Sequence, residues 1–178
     1  MTVASAASPE LRRVLWSMGK DSDNFTAEMV LKNVAAAAKG VGRTTTGAIL
    51  ARQSLAARLL PLGGTRIVDG SGLSPANRLT ADLLTSLLAE AASDPALAGP
   101  LKTSLAVAGV DGTLDDRMRD GPARGVVHAK TGTLREASAL SGYAGRFAFS
   151  VLVNSPEVNQ YTAHLLQDRV AAALARRS

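Results

Sequence analysis

Apolar positions recur three and four residues apart in most of the first half of the chain, and that spacing predicts helices. Leu11, Val14, Leu15 and Met18 form one such stripe in "SPELRRVLWSM", with Ser8 as N-cap, Pro9 at the first helical position and Gly19 as terminator. A second helix is expected over about 24–39, capped by Asp23 or Asn24, with Phe25, Met29, Val30 and Val34 on its stripe. A third spans roughly 46–60 and is closed by Pro61 and Gly63-Gly64. "TRIVDG" reads as a short strand that enters the turn-rich loop "DGSGLSPANR". Thr80 then caps a helix to about 92, with Leu83, Leu84, Leu87 and Leu88 buried. "PALAGPLKTSLAVAG" is a looser helical stretch, and "DGTLDDRM" a turn with a helical start.

From Gly125 the period changes. "GVVHAKTGT", "ASALSGYAG" and "RFAFSVLVNS" are apolar-rich runs divided by glycine and charged turns, and they predict three consecutive antiparallel strands. A closing helix over about 160–176 carries Leu165, Leu166, Val170 and Leu174 on its expected buried face. The pattern predicts an α/β protein in the broad (α+β) sense, helices packed on an antiparallel sheet. Residues 9–123 form its mainly helical part and residues 124–178 its sheet and last helix.

Composition narrows the function classes. The 178 residues are 46% hydrophobic and 20% charged, as in an ordinary folded chain, but only 3% are aromatic, so the core must rest on Leu, Val and Ala. The absence of cysteine removes disulfides and thiolate metal sites, and His128 and His164 lack zinc-ligand spacing, so no metal or cofactor is expected. The net charge of +5 invites a nucleic-acid reading. The basic residues are scattered, however, without a run of five and without aromatic interleaving, and they argue against a nucleic-acid partner. No run of about 18 apolar residues is present, so no membrane span is expected. "MTVASAASPELRR" has no charged-then-apolar export layout, and an export signal, if used, is expected outside this chain.

Two short motifs carry chemistry. In "HAKTGTL" a strand-borne lysine, Lys130, stands beside threonine hydroxyls and backbone N–H groups, a compact site for a carboxylate. Gly132 lacks a Cβ and would let a substrate backbone lie against the strand. The plainer reading of the triplet is a hairpin turn with Lys130 in solvent. In "KDSDNFTAE" the Ser-Asp-Asn tripeptide, Ser22 to Asn24, reads equally as a helix cap or as half of an active site. The order of the two motifs is the stronger signal, since with Ser-x-x-Lys they mark penicillin-binding serine enzymes.

Six blocks in order extend that likeness: "SDNFTAEMVLK", "VDGSGLSPANRLTA", "AGVDGTLDDRM", "HAKTGTL", "ALSGYAG" and "FSVLVN". The chain resembles the C-terminal part of a D-alanyl-D-alanine carboxypeptidase/endopeptidase of the low-molecular-mass class C penicillin-binding type. The resemblance implies a β-lactamase/transpeptidase-like fold, present here as an incomplete domain. It implies a peptidoglycan stem peptide ending in D-Ala-D-Ala as substrate, β-lactams as ligands and an extracytoplasmic site of action. It assigns catalytic roles to Ser22, Asn24 and Lys130, and substrate binding to Lys130, Thr131, Gly132 and Thr133. Ser22 would relay a proton to the departing amine, Asn24 would orient the substrate amide, and Lys130 with Thr131 and Thr133 would grip the terminal carboxylate.

The resemblance also implies a Ser-x-x-Lys nucleophile upstream of Ser-Asp-Asn. "SMGK", Ser17 to Lys20, has that spacing, but Ser17 falls at the C-terminal end of the first helix, where the dipole opposes an oxyanion. The nucleophile is therefore expected in a missing N-terminal part of the same protein, a partner of this chain. "DGSGLS" reads as a glycine loop, His128 as a strand-filling residue, and a Ser-His-Asp triad lacks a nucleophile elbow. Two rival functions remain: a non-catalytic peptidoglycan- or β-lactam-binding module, and a basic nucleic-acid-binding domain.

Overall fold

The computed structural model describes residues 4–5 and 7–178. Its elements, in chain order, are α1 (Leu11–Asp21), α2 (Asn24–Lys39), α3 (Thr44–Ala57), α4 (Ala81–Ser93), α5 (Ala98–Ser104), β1 (Ala106–Val107), a 3-10 turn (Gly112–Leu114), β2 (Val127–Leu134), β3 (Ala137–Ala144), β4 (Phe147–Asn154) and α6 (Gln160–Ala175). The three long strands are those the alternation predicts. The two-residue β1 and the single bridge to which "TRIVDG" contracts, Arg66 with Arg78, are not. Asp69 shows why that segment is a loop. Its carboxylate accepts from the Gly72 and Ser74 N–H groups and from Asn77, at 2.8–2.9 Å, so the backbone closes on a side chain rather than on a neighbouring strand.

The sheet runs in the order β1-β2-β3-β4, antiparallel throughout, with β2, β3 and β4 paired over their full length. Strand alternation divides its side chains between two faces. One face carries Val127, Ala129, Leu140, Ala144 and Phe149, packed against Ala171 and Ala175 of α6. The other carries Tyr143 and Ala148, packed on Leu88 of α4 and Leu105. The Tyr143 hydroxyl donates to the Leu88 carbonyl at 2.8 Å and ties α4 to the sheet. Thr80 caps α4 as expected, its hydroxyl accepting from the Leu83 N–H at 3.0 Å.

Two expectations about helices are overturned. The first concerns α1, which neither starts at Pro9 nor stops at Gly19. Glu10 is its N-cap, without a side-chain cap bond, and the helix runs through Gly19 and Lys20 to Asp21. Gly19 is an interior packing glycine: a Cβ there would lie 2.2 Å from the Ser104 carbonyl oxygen of α5. The second concerns α6, whose expected stripe is only partly its buried face, since Leu174 packs on the core but Leu165 and Leu166 do not. Ala163, Gln167, Ala171 and Ala175 face inward, while Leu165 and Leu166 are 40% and 49% exposed. Small side chains let the helix approach the sheet closely, and buried Gln167 is satisfied by donating to Ser138 and accepting from Arg117, both at 3.0 Å.

The helical part is pinned by another carboxylate. Glu28 of α2 accepts from the Thr44 hydroxyl at the start of α3 and from the Gly70 N–H at 2.8 Å. The Thr44 bond, then the Gly70 bond, hold its carboxyl below the usual range. One side chain thus fixes α2, α3 and the Asp69 loop relative to one another.

Replacing a helical glycine by alanine ordinarily stabilises by about 0.8–1 kcal/mol. For Gly19→Ala the clash with Ser104 outweighs that gain, and a net loss of about 1–2 kcal/mol is expected in urea unfolding. The β4 strand is eight residues long and its outer edge has no partner among the described residues. Such an edge templates further pairing. Sedimentation is expected to show concentration-dependent self-association, and a strictly monomeric, cooperatively melting chain would contradict this.

Candidate active site

Ser22 sits between two helices rather than inside either. It ends α1 in the left-handed conformation, φ 54° and ψ 45°, with its N–H bonded to the Met18 carbonyl. That conformation costs a non-glycine residue about 1–2 kcal/mol. The capping role in Ser-Asp-Asn falls to Asp23: its Oδ1 accepts from the Phe25 and Thr26 N–H groups at 2.9 and 3.1 Å, and its Oδ2 from the Thr26 hydroxyl at 2.6 Å. The Thr26 hydroxyl bond, above all, lowers its pKa. Relieved of capping, the Ser22 hydroxyl turns to the sheet and accepts from Lys130 Nζ at 2.5 Å, across 108 residues of sequence.

Lys130 lies midway along β2, on the face toward the helices. Its ammonium donates to Ser22 and to the Thr131 carbonyl at 2.8 Å, and it forms no ion pair among the described residues. Burial lowers its pKa. A half-buried cation held only by neutral oxygens retains unspent electrostatic capacity for an anion.

The strand around it is open on one side. β1 pairs only with His128 and Ala129, leaving Lys130 to Leu134 with β3 alone. The Val127 carbonyl points toward the β1 side, where it accepts from the Ala108 N–H. Strand alternation therefore turns the backbone N–H and C=O of Thr131 and Thr133 the same way, into the gap beyond the end of β1. Gly132 is exposed at this edge, and a Cβ there would meet only Ala139 Cβ, at 3.3 Å. An extended chain laid in the gap would find the Thr131 N–H and the N–H and C=O of Thr133 next to an ammonium that already holds the Thr131 carbonyl.

The remaining expected residues divide. The Thr131 hydroxyl leaves the strand on the opposite face from Lys130 and donates to Thr113 at 2.8 Å. Thr133 and Asn24 are exposed, and neither side chain has a hydrogen bond among those described. Ser17 is exposed and donates to Asp21 at 3.1 Å. Lys20, its supposed partner, points away and grips both oxygens of Asp111 at 2.6–2.7 Å. His128 shares the face of Lys130, but its Nδ1 is buried with no partner among the described residues. Burial, then the charges of Lys102 and Lys20, depress its pKa, which keeps it neutral as a strand-filling residue. No group of three His, Cys, Asp or Glu among the described residues is arranged to hold a metal ion. Asp111 and Thr113 are the neighbours that sequence reasoning did not single out. They reach the site from 91 and 18 residues away, and no local pattern announces such contacts.

Comparison with known proteins bears on the family and the fold. The profile of the D-Ala-D-Ala carboxypeptidase 3 (S13) family matches residues 1–176. A D-alanyl-D-alanine carboxypeptidase of Actinomadura sp. (strain R39) is 39% identical over 182 residues, covering 97% of this chain and 33% of that protein. Carboxypeptidase DacB of Mycolicibacterium smegmatis is 38% identical over 152 residues, covering 79% of this chain and 32% of that protein. Among solved structures, penicillin-binding protein 4 (dacB) of Haemophilus influenzae, complexed with a β-lactam, superposes with a TM-score of 0.78 at 26% identity, over 93% of this chain and 40% of that one. The chain thus spans about a third of the length of these relatives, yet nearly all of it falls within the match: it belongs to the D-Ala-D-Ala carboxypeptidase 3 (S13) family.

Proposed function

We propose that this chain carries the substrate-gripping half of a serine-type D-Ala-D-Ala carboxypeptidase that acts on peptidoglycan stem peptides and is trapped by β-lactams. The observation that carries the reading is the Lys130 ammonium at an open strand edge, hydrogen-bonded to Ser22 and with no carboxylate partner among the described residues. The C-terminal carboxylate of a D-Ala-D-Ala peptide supplies the missing anion. Its backbone pairs along Thr131–Thr133 as an added strand. A D-Ala-D-Ala stem peptide as substrate puts its action outside the cytoplasm, on the cell wall. None of its described helices is long and apolar enough to cross a membrane.

The chemistry is acyl transfer through a serine ester. A nucleophilic serine attacks the penultimate D-Ala carbonyl, the peptide C–N bond breaks, and water hydrolyses the ester. Lys130 donates to the Ser22 oxygen, so the Ser22 hydroxyl proton is free to pass to the departing D-alanine amine. The Thr133 N–H, on the open edge, is one donor to the developing oxyanion, an interaction worth about 3–4 kcal/mol of barrier. Asn24, at the first turn of α2, orients the substrate amide. Ser17 is not the nucleophile in this reading. Its bond to Asp21, its position late in α1 and the commitment of Lys20 to Asp111 all count against it, and the attacking serine belongs to residues outside this sequence.

Binding of a peptide ending in D-Ala-D-Ala, followed by calorimetry, is expected to weaken about ten- to a hundredfold in Lys130→Ala, the value of a charge-assisted hydrogen bond. Unchanged binding would contradict the proposed grip. The pH dependence has a definite sign. Burial places the Lys130 pKa below the ordinary lysine value of 10.5, so peptide affinity should hold at neutral pH and fall on the alkaline side before that value. Incubation with benzylpenicillin should leave the intact mass of this chain unchanged. A one-to-one covalent adduct would place the nucleophile within these residues, and mapping it to Ser17 would reverse the assignment.

A further inference from the structure

At the start of the 3-10 turn that follows β1, the tripeptide Asp111-Gly112-Thr113 belongs to one of the sequence blocks that the proposed mechanism does not use. We propose that it is a positioning bracket, which holds the end of α1 and strand β2 at the separation that puts Ser22 on Lys130. The inference rests on the proposed grip for its functional meaning, but its geometry stands without it.

Each residue of the bracket touches one half of the site. Asp111 accepts from the Val107 N–H at 2.8 Å and from Lys20 Nζ at 2.7 Å with one oxygen, and from Lys20 Nζ at 2.6 Å with the other. Lys20 is only 6% exposed and stands two residues before Ser22. Gly112 is left-handed, φ 58°, and a Cβ on it would lie 2.8 Å from the Lys20 carbonyl oxygen, so the turn lies backbone to backbone against the end of α1. Thr113 accepts from the hydroxyl of Thr131, the residue after Lys130. Three consecutive residues therefore span from the Ser22 turn to the Lys130 strand. Among the described residues, the Ser22–Lys130 contact is the one direct hydrogen bond between the end of α1 and β2.

The chemistry of Lys20 points the same way. The Lys20 side chain is buried and that of Asp111 is 41% exposed, so desolvation of the ammonium offsets much of the attraction and the pair adds little net stability. What it supplies is direction: the ammonium must lie against the carboxylate, and the carboxylate is fixed by the Val107 N–H. Since Ser22 terminates the same helix one residue beyond Asp21, any rotation or translation of α1 at Lys20 is transmitted to its hydroxyl. Among the described residues, neither Asp111, Lys20 nor Thr113 bonds to the Lys130 ammonium, so they act through Ser22 and Thr131.

The test compares single and paired replacements in this chain. Lys20→Met and Asp111→Asn each strand one partner of the pair and are expected to lower Tm. The double replacement strands neither and is expected to recover most of that Tm. If the pair positions Ser22, the double variant nevertheless leaves Lys130 less covered. Its side-chain NMR titration should then move up toward the ordinary lysine value, and its Kd for a D-Ala-D-Ala peptide should rise about tenfold. A double variant whose Lys130 titrates as in the unmodified chain would overturn the bracket. Should that variant fail to fold, Thr113→Val with Thr113→Ser as its conservative control provides the same readout: Val should shift the Lys130 titration and Ser should restore it, and identical titrations in both would overturn the proposal. Failure of the functional reading looks different, because the unmodified chain would then not bind the peptide while the titrations still report on the bracket.

Discussion

A half-buried lysine ammonium, with no counter-ion among the described residues, is the constraint around which this molecule is arranged. Desolvation disfavours the charge on Lys130, and only two neutral oxygens, the Ser22 hydroxyl and the Thr131 carbonyl, support it. Such a site is poised to gain from an incoming carboxylate what the fold itself withholds. Keeping it so requires that acidic side chains stay engaged elsewhere. Asp111 is held by Lys20, Asp23 by the first turn of α2, and Glu28 by Thr44 and Gly70.

The rest of the architecture sets where that charge stands. With few aromatic residues, the layers close by small side chains: alanines of α6 lie on one face of the sheet, and Gly19 lets α1 press on α5. Close approach fixes the helices more tightly than a leucine-filled interface would, because few rotamers are available to absorb a shift. The left-handed turn at Ser22 is tolerated within such a frame, and strain of that kind gathers where the surrounding structure over-determines a functional residue.

Much of this was legible in the sequence. The three long strands followed from alternation and punctuation, and the Thr80 cap and the bounds of α2 from local chemistry. The pairing of Ser-Asp-Asn with Lys-Thr-Gly pointed to Ser22 and Lys130 as one site. What escaped was set by partners distant in the chain. Gly19 looks like a helix terminator until Ser104 is placed beside it, and Leu165 and Leu166 of α6 look like part of its buried face until Gln167 is seen bonded to Ser138 and Arg117. "SMGK" offers a tempting Ser-x-x-Lys spacing, but Lys20 is committed to Asp111, 91 residues on. Local periodicity carries no information about such contacts, since tertiary packing decides between faces that propensity leaves equal.

Amide and lysine side-chain NMR shifts, followed while a peptide ending in D-Ala-D-Ala is added to this chain, test the central claim most directly. The expected perturbations converge on Ser22, Lys130, Thr131 and Thr133, with the Lys130 ammonium signal moving first among the lysines. Perturbations confined to another surface, such as the cleft lined by Arg119 and Arg124, would contradict it, as would a peptide that leaves Lys130 unmoved.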